Sequence, residues 1–180
     1  MKRVSLIFCA LTSICLAQTT ATFEQLHDRG LKRNPPGVTL HIETKDKRTV
    51  YHASEIIDPV MVFTSARANL YTVITEDLGW GDEAVLQPDG DKVRRLVFDH
   101  GVACCSSSVP EFLGPGPVIV GHYFRLQLPP GRYALFLQTE RVSQGRPARG
   151  HYGEGGAVMT SDILNLTVLP EEKRAVPRKT

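Results

Sequence analysis

From Val38 onward, apolar and polar residues alternate: Val38, Leu40 and Ile42 fall on one side of the chain, Thr39, His41 and Glu43 on the other. That period of two belongs to a strand with one buried face and one wet face. Segments rich in Val, Ile, Leu, Phe, Tyr and Thr repeat the signal over Thr49-Val50-Tyr51, Val60–Thr64, Leu70–Thr75, Val93–Asp99, Val118–Leu128, Tyr133–Thr139 and Ile163–Leu169. Turn-forming residues separate them at Lys45-Asp46-Lys47, Gln87-Pro88-Asp89-Gly90, Pro110 to Pro117, Pro129-Pro130-Gly131 and Gly145 to Gly156. Ahead of the first strand, Phe23, Leu26 and Leu31 have helix-like spacing until Asn34-Pro35-Pro36-Gly37 interrupts it, so residues 18–37 read as a short helix or a linker. Many short strands and no long helix predict an all-β domain over 38–170. About seven to nine antiparallel strands in two sheets packed face to face, a β-sandwich, is the preferred arrangement, with a barrel as the alternative.

The start of the chain has a different character. Lys2 and Arg3 precede an apolar run from Val4 to Leu16, and Cys15 and Ala17 put small side chains before a cut at Gln18. These are the parts of a secretory signal peptide, assigned to residues 1–17, and they predict export to the periplasm or the cell exterior. Cleavage after Ala21 is a weaker alternative. The run is shorter than the roughly 20 residues of a membrane-spanning helix, and no membrane span is expected. Neither Cys9, after Phe8, nor Cys15, after Ile14, has the small preceding neighbour that a lipid anchor requires. With Lys2 and Arg3 removed, the 21 basic residues fall to the number of acidic ones, 19, and the formal charge to zero. Nucleic acid is therefore not an expected partner, since its phosphates call for a basic stripe. Only Lys173, Arg174, Arg178 and Lys179 cluster, in a tail over 171–180 that is expected to be disordered. The length of 180 residues, with 42% hydrophobic and 22% charged, fits one globular domain.

Four stretches in order carry a resemblance. They are Val38-Thr39-Leu40-His41-Ile42-Glu43-Thr44-Lys45-Asp46; Val62-Phe63-Thr64-Ser65; Pro130-Gly131-Arg132-Tyr133-Ala134-Leu135 leading to Thr139-Glu140-Arg141-Val142; and Thr160-Ser161-Asp162-Ile163-Leu164-Asn165-Leu166-Thr167-Val168-Leu169-Pro170. Their order and spacing resemble the immunoglobulin-like domains of exported bacterial proteins of the acidobacterial type. The resemblance implies an immunoglobulin-like β-sandwich in an exported protein and brings no activity or site residues with it. The chain departs from that group over Asp99 to Gly116, where a glycine-rich variable loop is expected and a cysteine pair stands instead. Tyr133, just inside the Pro130-Gly131 corner, reads as structural, with its ring buried and its hydroxyl on nearby backbone.

Candidate chemistry is sparse. After signal cleavage only Cys104 and Cys105 remain. Being adjacent, they cannot staple distant parts of the fold; three readings stay open, a vicinal disulfide, free or buried thiols, and a soft-metal or intermolecular role. No Cys-x-x-Cys motif supports thiol exchange. The histidines His27, His41, His52, His100, His122 and His151 lack metal-site spacing. A copper site from His100, Cys104 or Cys105, His122 and Met159 lacks the Cys-to-His-to-Met run of one closing loop. Ser106-Ser107-Ser108 is no nucleophile elbow, and the carboxylates Glu76-Asp77, Asp82-Glu83, Asp89 and Asp91 read as surface groups, with Asp89-Gly90-Asp91 as a hairpin turn. No catalytic residue, metal ligand or cofactor is assigned. Trp80, between Gly79 and Gly81, and Tyr152, in a glycine-rich stretch, are the candidate ligand-binding aromatics, each set against the alternative of a ring folded over the core edge.

The expected function is that of an exported, non-catalytic module that binds a protein or a cell-envelope glycan through its loops. A secreted protease inhibitor presenting Pro110 to Pro117 is the main alternative, and a metal-binding or hydrolytic protein the lesser one.

Overall fold

The computed structural model describes residues 21–75, 82–98, 110–121, 125–145 and 156–171; the expected signal peptide and the tail past Glu171 lie outside them. The elements are α1 (Phe23–Leu31), β1 (Val38–Thr44), β2 (Val50–His52), β3 (Pro59–Ser65), β4 (Tyr71–Val73), β5 (Asp82–Pro88), β6 (Arg94–Phe98), β7 (Glu111–Phe112), β8 (Val118–Val120), β9 (Gly131–Gln144), β10 (Ala157–Thr160) and β11 (Leu164–Leu169). The protein is mostly β, and among the described residues no helix is long and apolar enough to cross a membrane.

A small antiparallel sheet has the order β1-β3-β8. Leu40 faces Phe63 and Ile42 faces Met61 across its first pair, so the alternation seen in the sequence becomes one apolar face. The large sheet has the order β2-β11-β9-β4-β7, with β10 and β5 also on β9 and β6 outside β5. Among the described residues only the β2–β11 pairing is parallel. Leu40, Ile42, Met61, Phe63 and Val120 of the small sheet share one core with Tyr51, Leu135, Leu137, Met159, Leu166 and Val168 of the large one. At one side Asp162 ties the sheets together: its N–H donates to Leu40 O (3.3 Å) and its carboxylate accepts the Ile42 N–H (2.8 Å).

Strand β9 organises the large sheet. One edge pairs with β11 over 131–135 and β10 over 138–142; the other pairs with β5 over 133–138 and β4 over 142–144. Tyr133, Leu135 and Leu137 face the shared core, while Ala134 and Phe136 face α1. The helix starts in a capping box, Thr22 Oγ1 accepting the Gln25 N–H (3.2 Å) and Gln25 Oε1 the Thr22 N–H (3.1 Å). Its buried residues Phe23, His27 and Gly30 recur at helical spacing, and the Phe23 ring lies 5.0 Å from that of Phe136. Past the helix, Asn34 acts as a substitute strand edge: its Nδ2 donates to Thr160 O (2.8 Å) and its Oδ1 accepts the Thr160 N–H (2.7 Å).

Eleven strands are present among the described residues, more than the sequence pattern predicts. The additional ones are β5, β7 and β10. In β5, Ala84 and Leu86 face the shared core while Val85 faces α1, so both faces are covered and no period of two appears. Of the segment Val118–Leu128, read as one strand, the described residues pair over 118–120 and at an isolated Ile57–Leu126 bridge. β9 runs beyond Thr139 to Gln144.

The docking of α1 yields a test. A Cβ at Gly30 would run into Thr160, whose backbone is already held by Asn34. Gly30→Ala is expected to destabilise the protein by about 1–3 kcal/mol through overpacking, despite the better helix propensity of alanine, as read by urea unfolding.

Candidate functional site

Trp80, Tyr152, Cys104 and Cys105, together with His100, His122 and His151, lie outside the described residues. Met159 does not face solvent; it is fully buried in the shared core. Asp89-Gly90-Asp91 forms the β5–β6 hairpin turn, with Gly90 at φ +73° and the Asp91 N–H donating to Pro88 O (3.1 Å). The Tyr133 hydroxyl donates to Pro129 O (2.7 Å), so its ring and hydroxyl close the corner into β9. Burial pushes that hydroxyl above its ordinary pKa. His27 is buried with Nε2 2.9 Å from Ser161 O, and His41 is exposed with Nδ1 2.6 Å from Asp162 Oδ2. Among the described residues no three His, Cys, Asp or Glu side chains converge as a metal-ligand set.

The structure brings together a group that the pattern did not reveal. Val142 faces Ala157 and Thr139 faces Met159, so three steps along β9 match two along β10. This is a β-bulge at Glu140 and Arg141. Arg141 is fully buried and so is Asp82. Arg141 Nε donates to Asp82 Oδ2 (2.9 Å), Nη2 to the same oxygen (2.6 Å) and Nη1 to Ile74 O (3.2 Å). Ile74 precedes and Asp82 follows the segment that carries Trp80, so one guanidinium holds both of its stems. Strict alternation from Leu135 and Leu137 puts Arg141 on the core side, and nothing in the residue types announces its buried carboxylate partner or the bulge beside it.

Beside α1 lies an open groove of about 550 Å³. Its floor crosses four strands, with Val158 of β10, Gln138 and Glu140 of β9, Glu83 of β5 and Arg95 of β6. The helix supplies Leu26 and Arg29, and the turn after it supplies Arg33. Arg95 Nη1 donates to both oxygens of Glu83 (3.1 and 3.3 Å). Arg29 and Arg33 are both exposed, with no ion pair among the described residues. Their i, i+4 spacing is visible in the sequence, but only the fold sets them beside Arg95. Of the Asp82-Glu83 carboxylates read as a surface pair, each has its own guanidinium and Asp82 is buried.

A further charged cluster shapes the β1–β2 turn. Asp46 accepts from the Tyr51 hydroxyl (2.5 Å) and from Arg48 Nε (2.7 Å), and the Arg48 guanidinium stacks 4.5 Å over the Tyr51 ring. The hydroxyl bond, with help from Arg48, holds the Asp46 carboxyl well below the usual range. Burial, and then Asp46, pushes the Tyr51 hydroxyl up to about 12. The His52 N–H and Arg48 likewise lower Glu55. These bonds are local to the turn, which assigns them to holding β1 and β2 together.

No protein-family model matches the chain, and no curated protein does. A solved structure with some likeness is that of Spo0M, a sporulation control protein from Bacillus subtilis, at 9% identity and a TM-score of 0.37. The alignment covers 74% of this chain and 50% of that one, so the chain spans about half of that protein's length.

Two outcomes test these clusters. Arg141→Met strands a buried carboxylate and is expected to cost about 3–5 kcal/mol, whereas Asp82→Leu with Arg141→Met recovers much of that; a double-mutant cycle in urea measures both. The raised Tyr51 pKa means that the native state keeps a proton that the unfolded chain gives up above about pH 10. Stability from Tyr51 is therefore complete below that pH and declines as pH rises towards about 12; Tyr51→Phe should flatten this part of the stability profile.

Proposed function

We propose that the chain is an exported, non-catalytic binding module of immunoglobulin-like β-sandwich form, akin to the acidobacterial-type domains it resembles in sequence. In this reading residues 1–17 are a signal peptide, and a protein or cell-envelope glycan is engaged through loops that include Trp80 and Tyr152. Two sheets around one shared core support the sandwich. The observation that carries the binding role is the Arg141 clamp. A guanidinium removed from water is bound to Ile74 O and to Asp82, at the two stems of the Trp80 segment. Burying such a pair is poor value for stability alone, since an apolar pair of similar volume does as well or better. It does, however, fix where a recognition loop leaves the framework, which lowers the ordering cost of association.

The protease-inhibitor alternative needs a loop standing clear at Pro110 to Pro117. There Leu113 is buried, its N–H donates to Tyr71 O (2.9 Å), and Gly114 O accepts the Ser65 N–H (2.8 Å), so the middle of the segment is tied to the framework.

The test uses the mature protein as bait against the host's own envelope fraction and secretome. A partner retained by the wild-type domain and lost by Trp80→Ala, with thermal unfolding unchanged, is the expected result. Equal retention by Trp80→Ala rejects the loop reading.

A further inference from the structure

The binding-module reading leaves the ligand open, and the groove beside α1 narrows it. We infer that this groove binds an acidic oligosaccharide through its uronic-acid carboxylates; the inference rests on the module reading. Three guanidiniums surround it. Arg29, in the last turn of α1, and Arg33, two residues past its end, both stand exposed, and among the described residues no carboxylate relieves their charge. An external anion does. Arg95 is different: Glu83 holds it through Nη1, which pre-sets the fork and leaves its other N–H groups without partners among the described residues. A planar fork held in place suits bidentate pairing with a carboxylate.

The rest of the groove favours a sugar over a polypeptide. Glu140 offers acceptor oxygens, and Gln138, whose Nε2 is already committed to Thr160 Oγ1 (3.0 Å), offers its carbonyl. Hydroxyl groups need such acceptors close to the guanidinium donors. An extended peptide needs a strand edge or apolar pockets for alternate side chains. This groove runs across strands β10, β9, β5 and β6, and among the described residues its aliphatic lining is Leu26 and Val158. Its volume lies within the roughly 300–1,000 Å³ of small-molecule sites, enough for a short run of sugar units.

Isothermal titration of the mature protein with a galacturonate oligomer, its methyl ester and pentaglutamate tests this. The acid oligomer is expected to bind, with affinity falling as salt is raised. Esterification, and separately the exposed double substitution Arg29→Gln with Arg33→Gln, should each weaken binding by about tenfold or more, as loss of a charge-assisted bond does. The double variant should melt as the wild type does; should it not, Arg29→Gln and Arg33→Gln singly are each expected to weaken binding. Equal binding of acid and ester, no binding of either, tighter binding of pentaglutamate, or unaffected binding by the arginine variants overturns the assignment. The two proposals fail separately. An envelope partner lost by Trp80→Ala while the oligomer does not bind leaves the module reading in place and removes the groove. Oligomer binding without such a partner does the reverse for the loops.

Discussion

Arg141 and Asp82 are both out of contact with water, and neither charge is tolerable there without the other, because an unpaired ion in that setting forfeits its hydration with nothing in return. Their pairing therefore dictates geometry. It fixes β5 against β9 where β9 takes in its extra residue, and through Ile74 O it draws in the chain leaving β4. A slip of β9 by one residue would separate the two charges and turn Leu135 and Leu137 away from the shared core at once. In a strand paired on both edges, the bulge and the ion pair define one register.

The same strand explains why the outer face is half covered and half open. Residues of β9 alternate between the core and the side of α1, so Phe136 meets Phe23 while Gln138, two residues on, falls where the helix leaves the sheet uncovered. Gly30 and Asn34 set how closely the helix can approach β10. The polar row of Gln138, Glu83 and Arg95 is what the outer face becomes once an apolar patch of Phe23, Val85 and Phe136 has been buried beneath the helix.

Much of the fold was legible where one rule governed a segment. β1 showed its buried face because the other face is wet, and Tyr133 gave away its corner because proline and glycine precede it. β5 hid because water reaches neither of its faces freely, and β10 because it follows a glycine-rich run. The helix was half visible: Phe23 and Leu26 marked it, while the Thr22 and Gln25 capping box, readable in principle, settles where it begins. The candidate sites were harder. The groove needs residues from α1, β5, β6, β9 and β10 at one place, which no local pattern encodes. The Arg141 clamp sits at a bulge, a single extra residue whose trace in the sequence is a change of phase between Leu137 and Val142.

That change of phase links the two features. Glu140 and Arg141 are neighbours, yet the first lines the open groove and the second is sealed with Asp82. Thr139 joins them, lying at the groove floor while its Oγ1 accepts the Arg141 N–H (3.3 Å). Bulges commonly re-aim side chains beside functional sites, because one added residue reverses which face a strand presents. Without it, strict alternation would put residues 139 and 141 on one face and residues 140 and 142 on the other. Val142 would then turn to the helix side and leave a gap in the shared core. With it, Val142 keeps its place in the core, and Glu140 and Arg141 are free to carry charge, one towards solvent and one towards the stems of the Trp80 segment. A strand whose first half is apolar thereby acquires polar chemistry without losing its place in the core.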